Sequence, residues 1–222
     1  MSASTVEVEV GGLLFDMDGV LISSIGSVER SWKRYAQMRG LDPEMASRVA
    51  HGRRAIETLQ DLCPSLDAGA ELRIIEQIEV DDNEGLMVFP GVRELLRSLP
   101  RHAWALVTSA TERLALSRLA HAGIALPEHF VTAEMVTEGK PHPAPYLRGA
   151  QMLGLGPEDC VVIEDAPAGV ASGKAAGCRV LAVLSTHAPG ALQAADWRIA
   201  ALADLHVAVQ GQRLRLTFTP QS

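Results

Sequence analysis

Short apolar runs alternate with helix-period segments along most of this chain. Residues 12–15 (Gly-Leu-Leu-Phe), 103–107 (Ala-Trp-Ala-Leu-Val), 160–163 and 179–184 are near-continuous apolar runs bounded by polar residues or glycine. That is the pattern of strands buried on both faces. Between them, 92–99, 112–122, 143–153 and 167–176 carry apolar residues at spacings of three and four, which predicts helices. Strands separated by single helices need crossover connections, so the predicted class is α/β, a mostly parallel sheet with helices on both faces. Pro167 suits a first helical position and Gly177 a left-handed cap at a helix end.

The stretch 22–87 breaks the rhythm. It offers no convincing strand but four helical patterns, 28–38, 43–50, 55–62 and 70–78, punctuated by Gly40, Gly52 and the Cys63-Pro64 pair. An all-helical block after the first strand predicts a small cap domain, 22–87, inserted into a core made of 1–21 and 88–222. The tail, Arg213-Leu-Arg-Leu-Thr-Phe218, alternates polar and apolar residues and reads as a late edge strand.

Composition narrows the function. With 47% hydrophobic and 21% charged residues the chain has the balance of a globular protein, not a disordered one. The net charge of -7 argues against nucleic-acid partners, which need Lys and Arg at phosphates. Cys63, Cys160 and Cys178 are too few and scattered for a disulfide framework and read as buried thiols. No signal peptide and no membrane-length apolar run is visible, so a cytoplasmic monomer without membrane partners is expected.

Candidate chemistry gathers at the predicted strand ends. The first strand runs into Asp16-Met17-Asp18-Gly19, and side chains two apart on an extended backbone share a side. A polar turn is the plain alternative, but ligands of open parallel sheets bind beyond the carboxyl ends of the strands. The second strand ends in Thr108-Ser109, hydroxyls that either meet a phosphate or merely cap the next helix. Lys140, one of three lysines in the chain, lies in the stiff loop Gly139-Lys140-Pro141-His142-Pro143. The run Ile163-Glu164-Asp165-Ala166-Pro167 places two carboxylates after an apolar strand. Asp165 would serve as a helix cap, but Glu164 then has no task. Carboxylates gathered at one site repel, and Mg²⁺ would relieve that. A cation, a lysine and helix-start amides together describe a site for a phosphate and its transferring oxygens.

These four segments, in order, resemble the motifs of haloacid dehalogenase phosphatases, and the match covers nearly the whole chain. The helical block falls where the β-phosphoglucomutase-like branch carries its cap, on a Rossmann-like core. His51-Gly52-Arg53-Arg54, Phe130–Glu134, the Lys140 loop through Tyr146, and Gly173–Cys178 resemble the glycerol-phosphate, 2-deoxyglucose-6-phosphate and hexitol-phosphate phosphatases. The resemblance implies that Asp16 attacks phosphorus, that Asp18 is the acid/base, and that Thr108, Ser109 and Lys140 hold phosphoryl oxygens. It implies Mg²⁺ on Asp16, Asp18 (through its carbonyl), Glu164 and Asp165. It also places His51 and Arg54 against the substrate, a small phosphorylated sugar or polyol, with Arg53 the competitor of Arg54. Many relatives have Thr where Val20 stands and Asp where Ser23 stands. A sugar phosphomutase and a non-catalytic phosphosugar-binding protein are the alternatives; retention of Asp16 and Asp18 disfavours the second. His142 is expected to be structural, and His102, His121, His129, His187 and His206 receive no role.

Overall fold

The structure, a computed structural model, describes residues 4–50 and 52–221. The chain opens with β1 (Val6–Val10), β2 (Gly12–Phe15) and β3 (Ile22–Ser23). Four helices follow: α1 (Ile25–Arg39), α2 (Pro43–Ala50), α3 (Ala55–Leu62) and α4 (Ala68–Asp81). Then come β4 (Met87–Val88), α5 (Val92–Ser98), β5 (Trp104–Val107), α6 (Glu112–Ala122), β6 (His129–Val131) and α7 (Ala144–Met152). The last elements are β7 (Cys160–Glu164), α8 (Pro167–Ala175), β8 (Arg179–Val183), β9 (Trp197–Ile199), β10 (His206–Gln210) and β11 (Arg213–Phe218).

Six strands form one parallel sheet in the order β6-β5-β2-β7-β8-β9. β2 is apolar throughout because both its faces are covered. Leu13 and Phe15 pack with Val92, Leu95, Ala115 and Leu119 of α5 and α6. Leu14 packs on the other side with Tyr146, Ala150 and Val170 of α7 and α8. From β2 the chain builds outward through β5 and β6, then returns to build the other way through β7, β8 and β9. That reversal opens a crevice at the carboxyl end of β2. Phe15 is in register with both Leu106 and Ile163, so the residues following these three strands emerge along one edge.

The tail differs from its expected place. β11 is the central strand of a separate antiparallel sheet, β1-β11-β10, and not an edge. Its inward Leu214, Leu216 and Phe218 join the main core together with Val8 and Val10 of β1, the ladder partners of Leu216 and Leu214, while Glu7 and Glu9 of β1 alternate outward.

The helices α1 to α4 enclose a small core of their own around Trp32, Tyr35, Leu59, Ile75 and Ile78. Chain entry and exit pair as a two-stranded antiparallel ribbon, Ile22 opposite Val88 and Ser23 opposite Met87. All three cysteines are buried free thiols, and burial pushes Cys160 up to about 12. Among the described residues no helix is long and apolar enough to cross a membrane.

Candidate active site

The strand ends bring the separated motifs together. Asp16 leaves β2 with its N–H bonded to the Ile163 carbonyl at 3.0 Å. Lys140, only 2% exposed, donates its Nζ to Asp16 Oδ1 at 2.5 Å, Glu164 Oε1 at 2.7 Å and the Val107 carbonyl at 3.2 Å. Tyr146 of α7 donates its hydroxyl to the same Glu164 oxygen at 2.7 Å. The other Glu164 oxygen accepts from the N–H groups of Asp165 and Ala166 at 2.9 and 3.1 Å. Glu164 is thereby fixed from four directions. Gly169 is glycine for this reason: a Cβ there would overlap the Glu164 carboxylate.

The simpler alternatives for the strand-end residues do not hold. Thr111, not Thr108 or Ser109, caps α6, its Oγ1 accepting from the Leu114 N–H at 3.3 Å. Ala166 occupies the cap position of α8, and no side chain caps it. Asp165 instead accepts from Thr186 Oγ1 at 2.5 Å, and His187 Nδ1 lies 2.7 Å from that hydroxyl. Ser109 reaches across to the Gly52 carbonyl at 3.3 Å, whereas Thr108 Oγ1 accepts from the Ala110 N–H at 3.1 Å. His142 Nδ1 accepts from the Ala144 N–H at 3.2 Å, a contact within the loop.

Burial, the largest cause, pushes the Asp16 carboxyl well above its ordinary range; Lys140 pulls it down, and Glu164, Asp165 and Asp18 push it up again. Burial also works against the Lys140 ammonium, but the charges of Asp16 and Glu164 outweigh it and raise its pKa, so the lysine stays charged. Glu164 is held below its ordinary value despite its burial, by Lys140 first and then Tyr146. One ammonium thus faces several carboxylates. Asp16, Glu164 and Asp165 each offer an oxygen within 4.8 Å of the others. A buried, all-oxygen, net-negative donor set fits a hard divalent cation.

The helical insert roofs this edge, and the two enclose a cavity lined by Asp16, Asp18, Thr108, Lys140, Trp32 and Glu79 among others. Arg54 does not line it; Arg53 does. Arg54 donates to the Thr137 carbonyl at 2.9 Å and Glu57 Oε1 at 3.1 Å, while Glu57 accepts from the Gly139 N–H at 2.8 Å. The structure therefore places Arg54 in the contact between insert and Lys140 loop. Arg53 is paired with Asp61 at 2.9 Å. His51, the other expected substrate contact, lies outside the described residues.

Sequence reasoning missed Arg118 and Glu79. Arg118 is 3% exposed and donates to Asp18 Oδ2 at 2.8 Å and to Glu79 Oε1 of α4 at 3.2 Å. The signal was present: position 118 falls on the buried stripe Leu114, Ala115, Leu119, Ala122 of α6, where a lone arginine demands a buried partner. The partner on α4 had no such signal. Thr186 behind Asp165 had none either, since only the sheet brings β7 and β8 side by side.

The sequence model of haloacid dehalogenase-like hydrolases matches residues 10–177. Hexitol phosphatase A of Escherichia coli is 48% identical over 177 residues, covering 78% of this chain and 82% of that protein. Glycerol-1-phosphate phosphohydrolase 2 of Saccharomyces cerevisiae is 34% identical over 198 residues, covering 84% and 79%. The crystal structure of a β-phosphoglucomutase from Clostridium difficile superposes with a TM-score of 0.75 at 22% identity, covering 89% of this chain and 93% of the other, a likeness of fold. With matches on this scale, the chain belongs to the haloacid dehalogenase-like hydrolases.

Proposed function

We propose that this hydrolase is a Mg²⁺-dependent phosphomonoesterase for small phosphorylated polyols or sugars, hexitol phosphates first. The observation that carries the reading is the buried cluster of Asp16, Lys140, Glu164 and Asp165 lining the cavity beneath the insert. The names of the two sequence relatives support the substrate class. The likeness to a mutase, at 22% identity, supports the fold only.

In this reading an Asp16 oxygen attacks phosphorus, the bond to the leaving oxygen breaks, and Asp18 gives that oxygen its proton. Water then attacks the phosphoaspartate, Asp18 takes its proton, and inorganic phosphate leaves. Lys140 and Thr108, beside Asp16, hold phosphoryl oxygens, with Ser109 next to them; Glu164 and Tyr146 hold the lysine in place. Asp16, Asp165, the Asp18 carbonyl and Glu164 would hold Mg²⁺, which when bound offsets the negative charge of the carboxylates and the phosphoryl group.

Phosphate release from phosphorylated hexitols, hexoses and glycerol, each with Mg²⁺ and with excess chelator, tests this. Release should require the metal and be fastest with a hexitol phosphate, and Asp16→Asn should form no phosphoenzyme. Full activity in chelator, or isomer interconversion with little free phosphate, would refute the reading.

A further inference from the structure

Beyond the phosphate-handling cluster, the cavity has a second polar wall. Arg118 joins Asp18, at the end of the first core strand, to Glu79 on the insert. Glu76, one turn back on α4, also lines the cavity and accepts from Thr111 Oγ1 at 2.6 Å and from Arg113 at 2.9 Å. Between these polar groups the lining is apolar: Ile25, Val28, Trp32, Leu72 and Leu114.

A leaving group that takes its proton from Asp18 must extend toward what Asp18 touches. That is Arg118, and behind it Glu79. Two buried polar atoms there lack a hydrogen-bond partner among the described residues, Asp18 Oδ1 and Arg118 Nε. Asp18 Oδ1 can hand its proton to the leaving oxygen and Arg118 Nε can donate to a neighbouring hydroxyl, which is the pair that a hydroxyl-bearing chain can satisfy.

Charge decides what else the wall admits. Every described cation lining the cavity already has a carboxylate: Lys140 has Asp16 and Glu164, Arg53 has Asp61, and Arg118 is shared by Asp18 and Glu79. Two carboxylates, Asp18 and Glu79, meet the single guanidinium of Arg118, so the wall presents more carboxylate than its cation can pair with. A second phosphate or a carboxylate on the substrate would be pressed against that excess, and like charges brought together in a desolvated site repel strongly.

We propose that Glu79 and Arg118 are specificity-determining residues, which accept an uncharged, hydroxyl-bearing leaving group and refuse one that carries a second anionic group. This rests on the phosphomonoesterase reading and adds to it where the leaving group lies and what excludes bisphosphates and phosphorylated acids.

Sorbitol 6-phosphate and 6-phosphogluconate test it, because they have the same chain and differ at the far end, a hydroxymethyl against a carboxylate. The native protein should favour sorbitol 6-phosphate by about a hundredfold in kcat/KM. Glu79→Gln keeps an acceptor for Arg118 and removes the charge, and should narrow that ratio by about tenfold. Both substrates are measured on one preparation, so a fraction that fails to fold cancels from the ratio. Equal use of the two by the native protein would overturn the proposal without any variant, and so would an unchanged ratio in Glu79→Gln. In both cases the phosphomonoesterase reading stands. No phosphate release from either substrate or from acetyl phosphate would instead remove the reading on which the proposal rests.

Discussion

Glu79 is a buried carboxyl group, 6% exposed and facing Arg118 of α6, Asp18 beyond it and Glu76 on its own helix. Burial raises its pKa from 4.5 to about 7, against the pull of Arg118. The folded protein therefore binds this proton more tightly than the unfolded chain does. Below pH 4.5 both states carry the proton and nothing is lost; as pH rises to about 7 the folded state is penalised. Each pKa unit is about 1.4 kcal/mol, so the loss is on the order of 3 kcal/mol. Glu79→Gln cannot titrate. Unfolding free energies measured between pH 4 and pH 8 should show the native protein losing stability relative to the variant by this amount. Parallel curves for the two would mean that Glu79 is solvated in solution.

At the scale of the element, helix α8 sets two preferences against each other. Alanine is a better helix former than glycine by about 1 kcal/mol, so Gly169→Ala considered alone should stabilise it. The Cβ would overlap the Glu164 carboxylate, however, and that carboxylate holds Lys140, Tyr146 and two backbone N–H groups. Displacing it leaves a buried ammonium short of a partner, a class of change that typically costs about 3–5 kcal/mol. Steric exclusion should win. Gly169→Ala is expected to melt lower and to need at least about tenfold more Mg²⁺ for half-activation, since groups that orient metal ligands matter on that scale. A variant that is more stable than the native protein, with an unaltered metal requirement, would show that α8 can shift without disturbing the cluster.

For the whole molecule, the question is how the insert sits on the sheet. It docks at three places: Arg54 and Glu57 hold the loop around Gly139, the Gly52 carbonyl accepts from Ser109, and Glu76 and Glu79 meet α6. The ribbon of β3 and β4 is the covalent connection at both ends. Substrate has to enter the cavity between insert and sheet, and release of the insert would widen the way in. Arg54→Ala removes a charge-assisted hydrogen bond worth about 1.5–3 kcal/mol, which lowers the docked population relative to the open one by roughly ten- to a hundredfold. kcat/KM for a hexitol phosphate should fall by up to that factor, mostly through KM, and small-angle scattering should report a larger radius of gyration. Acetyl phosphate, too small to reach the insert, should change by no more than about threefold. Equal losses on the two substrates would move Arg54 into the phosphate site.

How much of this was legible follows from where the information resides. The apolar runs at 12–15, 103–107, 160–163 and 179–184 declare buried strands by themselves, since a strand covered on both faces has no polar alternation left to hide in. The three-residue strands at 129–131 and 197–199 lie at the edges of that sheet, are only partly covered, and gave no such run. The strand-end carboxylates, hydroxyls and lysine were legible as candidates because the carboxyl edge of a parallel sheet is one place, whatever the separation along the chain. Which of them touch was decided by packing. Lys140 lies 124 residues from Asp16 and bonds it, while Arg54 is drawn to the Thr137 carbonyl when the insert docks. Arg118 carried half its message in the sequence, as a charge on an apolar stripe. The other half, the carboxylates of Asp18 and Glu79 on either side of it, exists only once sheet, α6 and insert close on one another. Periodicity is a local property and the sequence determined it; the pairing of buried charges is settled by what remains nearby when water is gone, and only the tertiary structure decided that.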